Sequence, residues 1–127
     1  MAPEDVLAEP VDASSSQLAQ VSRAMVRIYK EQFGRGPERV RTHWAGPDSL
    51  ICFLENTLTP VERTLTTMNE NQRLRDMRML FQYAAETEFR SAVEEITGRK
   101  VIAFVSGIDT RADVAGEVFL LARDTDC

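Results

Sequence analysis

The feature that most constrains the fold is a helical pattern of apolar residues between Asn69 and Gly98. Apolar residues recur there at steps of three and four positions, which places them on one face of a helix. They are Leu74, Met77, Phe81, Ala84, Ala85, Phe89, Ala92, Val93 and Ile96. Asn69 and Gln72 have the spacing of a capping box, and Gly98 can take the left-handed conformation that closes a helix. We therefore predict one long amphipathic helix, which needs a wide apolar surface to lie on.

Shorter patterns on either side predict the elements that supply this surface. Polar caps followed by apolar residues at helical spacing predict two further helices, and apolar segments bounded by Gly, Pro and Asp predict two strand hairpins. The segments are a first helix from Ser14–Ser16 to Gly34, strands at Arg39–Ala45 and Leu50–Asn56, a short helix from Thr59 to Thr67, and strands at Val101–Ser106 and Glu117–Arg123. This order predicts an α+β fold, namely a two-layer sandwich of a four-stranded, mostly antiparallel sheet with helices on one face.

The length of 127 residues is that of one domain. We expect it to span residues 14–123, after a flexible arm at residues 1–13 and before a frayed end at residues 124–127. No apolar run approaches the roughly 20 residues that cross a bilayer, and the N-terminus lacks the basic start and apolar core of a signal peptide. We expect a cytoplasmic protein that reaches the inner face of the membrane only through a partner.

Three of the four predicted strands are apolar on both faces, whereas a sheet with one face in water alternates. Helices on one side cannot cover both sets of side chains. One predicted set is Ile51, Phe53, Ile102, Phe104, Phe119 and Leu121. Leaving either set bare exposes several hundred Å² of apolar surface, more than monomers usually show. We predict a homodimer across a two-fold axis. The alternative is that the first helix covers the second face within one chain.

Residues suited to catalysis do not form any common motif. His43 is the only histidine, and the two cysteines, Cys52 and Cys127, are far apart in sequence. Zinc-ligand spacings, a P-loop, a Gly-x-Gly-x-x-Gly turn and a Gly-x-Ser-x-Gly elbow are all missing. We predict no catalytic residue, no metal site and no cofactor, and we expect Cys52 to be a buried small hydrophobe. The net charge of −5 also disfavours general nucleic-acid binding, which normally requires a basic surface.

Arginines at two corners are the candidates for ligand binding. Arg35 and Arg99 each follow a glycine that closes a predicted helix, and each precedes a strand. Two such corners can form a basic rim for an anion or an acidic partner. The alternative is ordinary pairing with nearby acids, as for Arg90 with Glu86. The segment Gly34–Pro37 likewise has two interpretations, a tight helix-to-strand turn or an anion-binding loop.

Three segments, in order, resemble the signatures of the MpsC-like family. Tyr29–Pro37 is similar to its y-f-G-r-G-P motif, Leu58–Leu65 to L-T-P-x-E-x-x-L, and Thr97–Val101 to t-G-r-x-V. The resemblance extends over residues 17–122 and departs at Asn69–Gln72, where the family pattern has a glycine. It implies a small soluble accessory protein beside a sodium-translocating, membrane-potential-generating complex, and it supplies no active-site residues.

Three hypotheses for function follow. The leading one is a non-enzymatic, dimeric interaction or regulatory module, which also contacts a subunit of a membrane complex. The second is a sensor of small anions or nucleotides with Arg35 and Arg99 at its rim, and the third is an α+β module that binds nucleic acid. The candidate ligand- or partner-binding residues combine motif positions with nearby arginines. They are Gly34, Arg35, Gly36, Pro37, Arg39, Arg41, Thr59, Glu62, Gly98 and Arg99.

Overall fold

Four helices and a four-stranded antiparallel sheet make up residues 13–123, the part of the chain that the computed structural model describes. The elements are α1 (Ala13–Phe33), β1 (Arg39–Trp44), β2 (Ser49–Glu55), α2 (Pro60–Thr67), α3 (Asn71–Ala84), α4 (Glu86–Thr97), β3 (Val101–Asp109) and β4 (Val114–Leu121). The strand order is β1-β2-β4-β3, with every neighbouring pair antiparallel. The α+β prediction is confirmed. Of the predicted arm only Ala13 is described, and residues 1–12 and 124–127 lie outside the described residues.

The helices cover one face of the sheet. On β2, Leu50, Cys52 and Leu54 are fully buried beneath them, whereas the residues between them are only partly buried. Helix α1 packs over β1 and β2, and α3 and α4 pack over β3. Because α1 lies on the same side as the other helices, the alternative in which it covers the second face is wrong.

One predicted set of sheet residues divides between the two faces. Phe104 and Phe119 lie in the core, with ring centroids 5.3 Å apart, and Phe89 of α4 stacks on Phe104 at 5.6 Å. Ile51 and Phe53 lie on the opposite face, which none of the described helices covers. The prediction that these residues share a face is therefore wrong. In the register of β2 and β4, Ile51 and Phe53 lie beside Val118 and Gly116 and not beside Phe119.

The long helix predicted from Asn69 to Gly98 is two helices, α3 and α4, separated at Ala85 (φ −95°, ψ 11°). The Ala85 N–H donates to the carbonyl of Gln82 at 3.2 Å, three residues back. In a continuous helix it would donate to the carbonyl of Phe81. That carbonyl instead accepts from the side-chain amide of Gln32 on α1 at 3.0 Å. An inserted side chain thus interrupts the helix, which no local pattern predicts.

The start of α3 also differs from the prediction. Asn69 has φ +60° and stands before the helix, while Glu70 occupies the N-cap position without a side-chain capping bond. The Gln72 amide donates to Asp76 at 2.9 Å and takes no part in a capping box. The predicted capping box is wrong because asparagine, which tolerates the left-handed region, makes the turn itself. Asn69 therefore takes at this turn a backbone conformation that glycine adopts without strain.

The second hairpin is longer than predicted. β3 continues past the predicted end at Ser106 to Asp109, and β4 begins at Val114, before the predicted start at Glu117. Gly107 and Gly116 pair across the two strands inside this extension. Glycine has weak strand propensity, and the sequence pattern therefore did not predict the pairing.

Candidate functional site

The sheet face that the helices leave uncovered is apolar across its middle. Ile51 of β2, Val118 of β4 and Val105 of β3 form one row in the strand register. We call the following residues the open face: Ile51, Phe53, Ala103, Val105, Val118 and Leu120. Val105 keeps 57% of its surface exposed and Leu120 keeps 41%. A contiguous apolar surface of this kind is typical of an interaction site.

The β1 border of the open face is basic. Arg39, Arg41 and His43 lie on the same face of β1. The Arg41 guanidinium contacts the Glu55 carboxylate at 3.2 Å, and its carbon lies 5.4 Å from the Phe53 ring centroid. Arg39 lies 3.9 Å from the same carboxylate. Two predicted binding residues, Arg39 and Arg41, therefore border the apolar surface, and one carboxylate is shared between them.

The outer edge of β3 is occupied by helix side chains. Arg90 donates to the Val101 carbonyl at 2.9 Å, and the Val101 N–H donates to Glu94 at 2.9 Å. The Ser106 N–H donates to the Tyr83 hydroxyl at 3.0 Å. Exposed edge N–H and C=O groups are what an added strand would pair with. Edge pairing along β3 is therefore obstructed, and the open face is the accessible surface on this side of the sheet.

The segment Gly34–Pro37 turns the chain from α1 into β1. Its first glycine has φ +84°, which ends the helix. Its second glycine packs on Val26, since a Cβ there would lie 3.2 Å from Val26 Cγ1. Arg35 donates to the Leu58 carbonyl at 2.6 Å and so ties this turn to the loop before α2. These contacts favour the tight-turn interpretation of the segment.

The second corner is built in the same way. Gly98 ends α4 with φ +71°, and Arg99 donates to the Pro47 carbonyl at 2.8 Å and to Asp48 at 2.6 Å. Asp48 lies in the β1–β2 turn, whereas Arg35 lies where β1 begins. The two arginines therefore stand at opposite ends of the sheet, and the described chain does not bring them to one rim.

Thr59 and Glu62 form a capping box at the start of α2. The Glu62 N–H donates to the Thr59 hydroxyl at 3.2 Å, and the Thr59 N–H donates to the Glu62 carboxylate at 2.9 Å. Glu62 also accepts from Arg78 of α3 at 2.9 Å, within the core. Its carboxylate thus joins a local cap to a buried ion pair.

Arg78 is the centre of a buried polar cluster that sequence analysis missed. It is 0% exposed. Besides Glu62, it donates to the Thr57 hydroxyl at 3.0 Å and to the Gln82 side-chain carbonyl at 3.3 Å. Its guanidinium carbon lies 3.8 Å from the Phe33 ring centroid. Hydrogen bonds, an ion pair and a cation–π contact together compensate the desolvation of this charge.

The buried stripe of α3 runs through Leu74, Arg78 and Gln82, at steps of four. Sequence analysis placed Met77 and Phe81 there instead, and Phe81 is 43% exposed. The prediction was wrong because it assigned the buried side of the helix from apolar residues alone, whereas two of the buried residues are polar. A signal did exist on strand β4, where a glutamate alternates with the buried residues Ala115 and Phe119.

That glutamate, Glu117, lies on the core face of the central strand β4 and is 0% exposed. Its Oε2 accepts from the Tyr29 hydroxyl at 2.5 Å, and its Oε1 has no hydrogen-bond partner among the described residues. Burial raises the pKa of Glu117 to about 8, against the smaller opposing effects of its hydrogen bonds and Arg78. Burial, and then the Glu117 charge, raise the pKa of Tyr29 well above its ordinary value.

The described residues contain no cluster of three or more His, Cys, Asp or Glu side chains that could hold a metal ion. Within the same part of the chain, no helix has the length and apolarity to cross a membrane.

The fold and surface define a class of small α+β two-layer domain, with helices on one sheet face and an apolar surface on the other. The family model described as Na+-translocating membrane potential-generating system (MpsC) matches residues 14–123, and the chain belongs to this family. The family resemblance noted in the sequence is confirmed. Neither the curated proteins nor the solved structures contain a match.

Proposed function

We propose that the chain is a non-enzymatic accessory module that pairs with a second copy through the open face. Its setting is the Na+-translocating, membrane-potential-generating system after which the family is described, at the cytoplasmic side of the membrane. The observation that carries the proposal is the uncovered apolar middle of the sheet, formed by Ile51, Val105 and Val118.

Burial of this surface in a dimer follows from the hydrophobic effect. Removing apolar area from water is worth about 25 cal/mol per Å², and a two-fold axis allows the same patch to be buried twice. Because helix side chains occupy the β3 edge, packing of face against face is the accessible arrangement there. The basic border along β1 supplies the polar rim that surrounds the apolar core of many interfaces.

The non-enzymatic part rests on how the candidate side chains are used. Arg35 and Arg99 hold turns to neighbouring carbonyl groups. Glu62 caps a helix and neutralises Arg78. These contacts position backbone and balance buried charge, which are structural roles.

Sedimentation velocity at micromolar concentration tests the dimer. We expect the wild-type chain to sediment as a dimer and Val105→Glu, on the open face, to sediment as a monomer. Leu80→Glu is the matched control, because Leu80 is 67% exposed on α3, away from the sheet. A monomeric wild-type chain, or equal effects of the two variants, would contradict the proposed dimer.

The accessory role is tested in the native host at endogenous expression level. We expect the wild-type chain to co-purify with subunits of the Na+-translocating system and its deletion to lower the sodium-dependent membrane potential. Unchanged potential in the deletion strain, with none of those subunits co-purifying, would refute the accessory role.

A further inference from the structure

We infer that the two copies pack with their two-fold axis parallel to the strands, so that β1 and β2 of each copy lie over β3 and β4 of the other. This orientation rests on the proposed dimer and adds to it the contacts that join the copies. Three rows of side chains across the open face carry the inference, the first through shape, the second through apolar contact and the third through charge.

The row of Arg41, Phe53, Gly116 and Gly107 is uneven in height. Its β1 and β2 half carries two large side chains, whose guanidinium carbon and ring centroid are 5.4 Å apart. Its β4 and β3 half carries none. A Cβ built on Gly107 meets no described atom within 4 Å, and one built on Gly116 meets only the Cys52 carbonyl oxygen, at 4.0 Å.

Rotation about an axis parallel to the strands exchanges the two halves of this row. Phe53 of one copy then lies over Gly116 of the second copy, and Arg41 lies over Gly107. Packed sheets are about 10 Å apart, so large side chains on one face need small residues opposite them. The glycines supply that space in both halves of the dimer. The same rotation places Ile51 over Val118, which buries the apolar row.

The row at one end of the face carries opposite charges at its two edges. Arg39 begins it on β1 and Asp109 ends it on β3, with Glu55 and Val114 between them. The Arg39 side chain is 44% exposed, and Asp109 is exposed. The inferred axis brings Arg39 of each copy toward Asp109 of the other. A long arginine side chain can span the offset that the roughly 30° angle between twisted sheets introduces.

An axis perpendicular to the strands, still between the two faces, gives the opposite result. It lays β1 over β1 and brings Arg39 and Arg41 of both copies together. Like charges brought together at an interface repel and so disfavour that arrangement. Where such an axis crosses the row of Gly116 and Gly107, it also leaves the glycine hollows of both copies facing each other. Shape and charge therefore favour the same orientation.

The shape argument is tested with Gly116→Leu in sedimentation equilibrium. Gly116 does not have a positive φ, and its neighbours leave room for a side chain, so the variant should fold. We expect the dimer dissociation constant to rise at least tenfold. Ser91→Leu, on the exposed face of α4, adds the same side chain elsewhere and should leave the constant unchanged. Adding Phe53→Ala to Gly116→Leu should recover part of the affinity, because the large residue then changes sides.

The charge argument gives results of opposite sign for the two axes. With the inferred axis, Arg39→Glu weakens the dimer, and adding Asp109→Asn restores part of the affinity. Asparagine keeps the side-chain oxygen that accepts from the Arg111 and Ala112 N–H groups, so the turn is preserved. With β1 over β1, Arg39→Glu tightens the dimer.

The outcomes separate the orientation from the proposed function. A dimer that Val105→Glu disrupts but Gly116→Leu leaves intact, or that Arg39→Glu strengthens, overturns the orientation and leaves the proposed dimer standing. A wild-type monomer overturns both. Disruption by Gly116→Leu, with partial rescue by Phe53→Ala and by Asp109→Asn in their respective backgrounds, supports the inferred axis.

Discussion

Replacing Glu117 by glutamine should remove an unusual pH dependence from the stability of this domain. The carboxyl group is fully buried on the central strand, with the Tyr29 hydroxyl at 2.5 Å from one oxygen. Arg78, the cation that acts on it, is already paired with Glu62. Burial therefore raises the pKa of Glu117 from 4.5 to about 8. The amide of Glu117→Gln has nearly the same shape and never carries the charge.

The sign of the effect follows from proton binding in the two states. Between pH 4.5 and about 8, the folded chain holds the Glu117 proton and the unfolded chain does not. The free energy of unfolding therefore falls as pH rises. The stabilisation is fully present below pH 4.5 and is lost by about pH 8. At about 1.4 kcal/mol per pH unit, the loss is about 5 kcal/mol at most, because relaxation around a buried charge reduces it.

Urea unfolding between pH 5 and 8, followed by the fluorescence of Trp44, measures this loss. The wild-type free energy of unfolding should fall relative to Glu117→Gln across that range, with the variant the more stable at pH 8. Glu95→Gln, on the exposed face of α4, is the matched control and should keep the wild-type slope. Parallel curves for wild type and Glu117→Gln would refute the reasoning that the folded core holds a neutral carboxyl group.

Three further substitutions test the buried ion pair and the local turns. Arg78→Met should lower the free energy of unfolding by about 3–5 kcal/mol in urea titrations, because Glu62 keeps a buried charge without its partner. The exposed Arg75→Met should change it by less than about 0.5 kcal/mol. Thr59→Ala removes one capping bond and should cost about 1 kcal/mol in thermal unfolding. Asn69→Gly should raise stability by about 0.5–1 kcal/mol, since φ is +60° there; a loss would contradict this.

Local chemistry explains which parts of the fold the sequence predicts. A capping box needs only residues three apart, and Thr59 with Glu62 forms one at the predicted start of the short helix. Apolar residues at helical spacing also predicted the first helix, and Val21, Met25 and Tyr29 on α1 are fully buried. These features depend on contacts within one element, or on a single face meeting a core, so the spacing of side chains is sufficient to find them.

Features set by contacts between distant elements were not predictable in this way. The break at Ala85 depends on Gln32, which is far away in the chain. The interior position of Arg78 depends on Thr57 and Glu62, which supply its acceptors from the loop before α2 and from α2. Apolar periodicity treats a buried arginine as an exposed one, and only the folded arrangement shows that its charge is matched.

The candidate site shows the same division. Strands that are apolar on both faces correctly indicated an uncovered surface, because alternation is a local property. The sequence did not reveal which side chains share that surface, since this depends on the phase of each strand in the register. Gly107 and Gly116 were missed for a related reason. They pair only through the register of β3 and β4, and that register makes the hollow on which the inferred orientation rests.

The buried cluster and the open face are opposite sides of the same strands, and their energetics are coupled. Glu117 and Arg78 occupy core volume that apolar side chains fill in most domains, while Val118 and Val105 remain on the surface. Such a chain gains less from its own core than its apolar content allows. Because a partner that binds only the folded state adds stability by mass action, dimerisation through the open face would recover part of that difference. Loss of the Glu117 proton lowers the population of folded monomer, and therefore it also lowers the population of any dimer that forms from it.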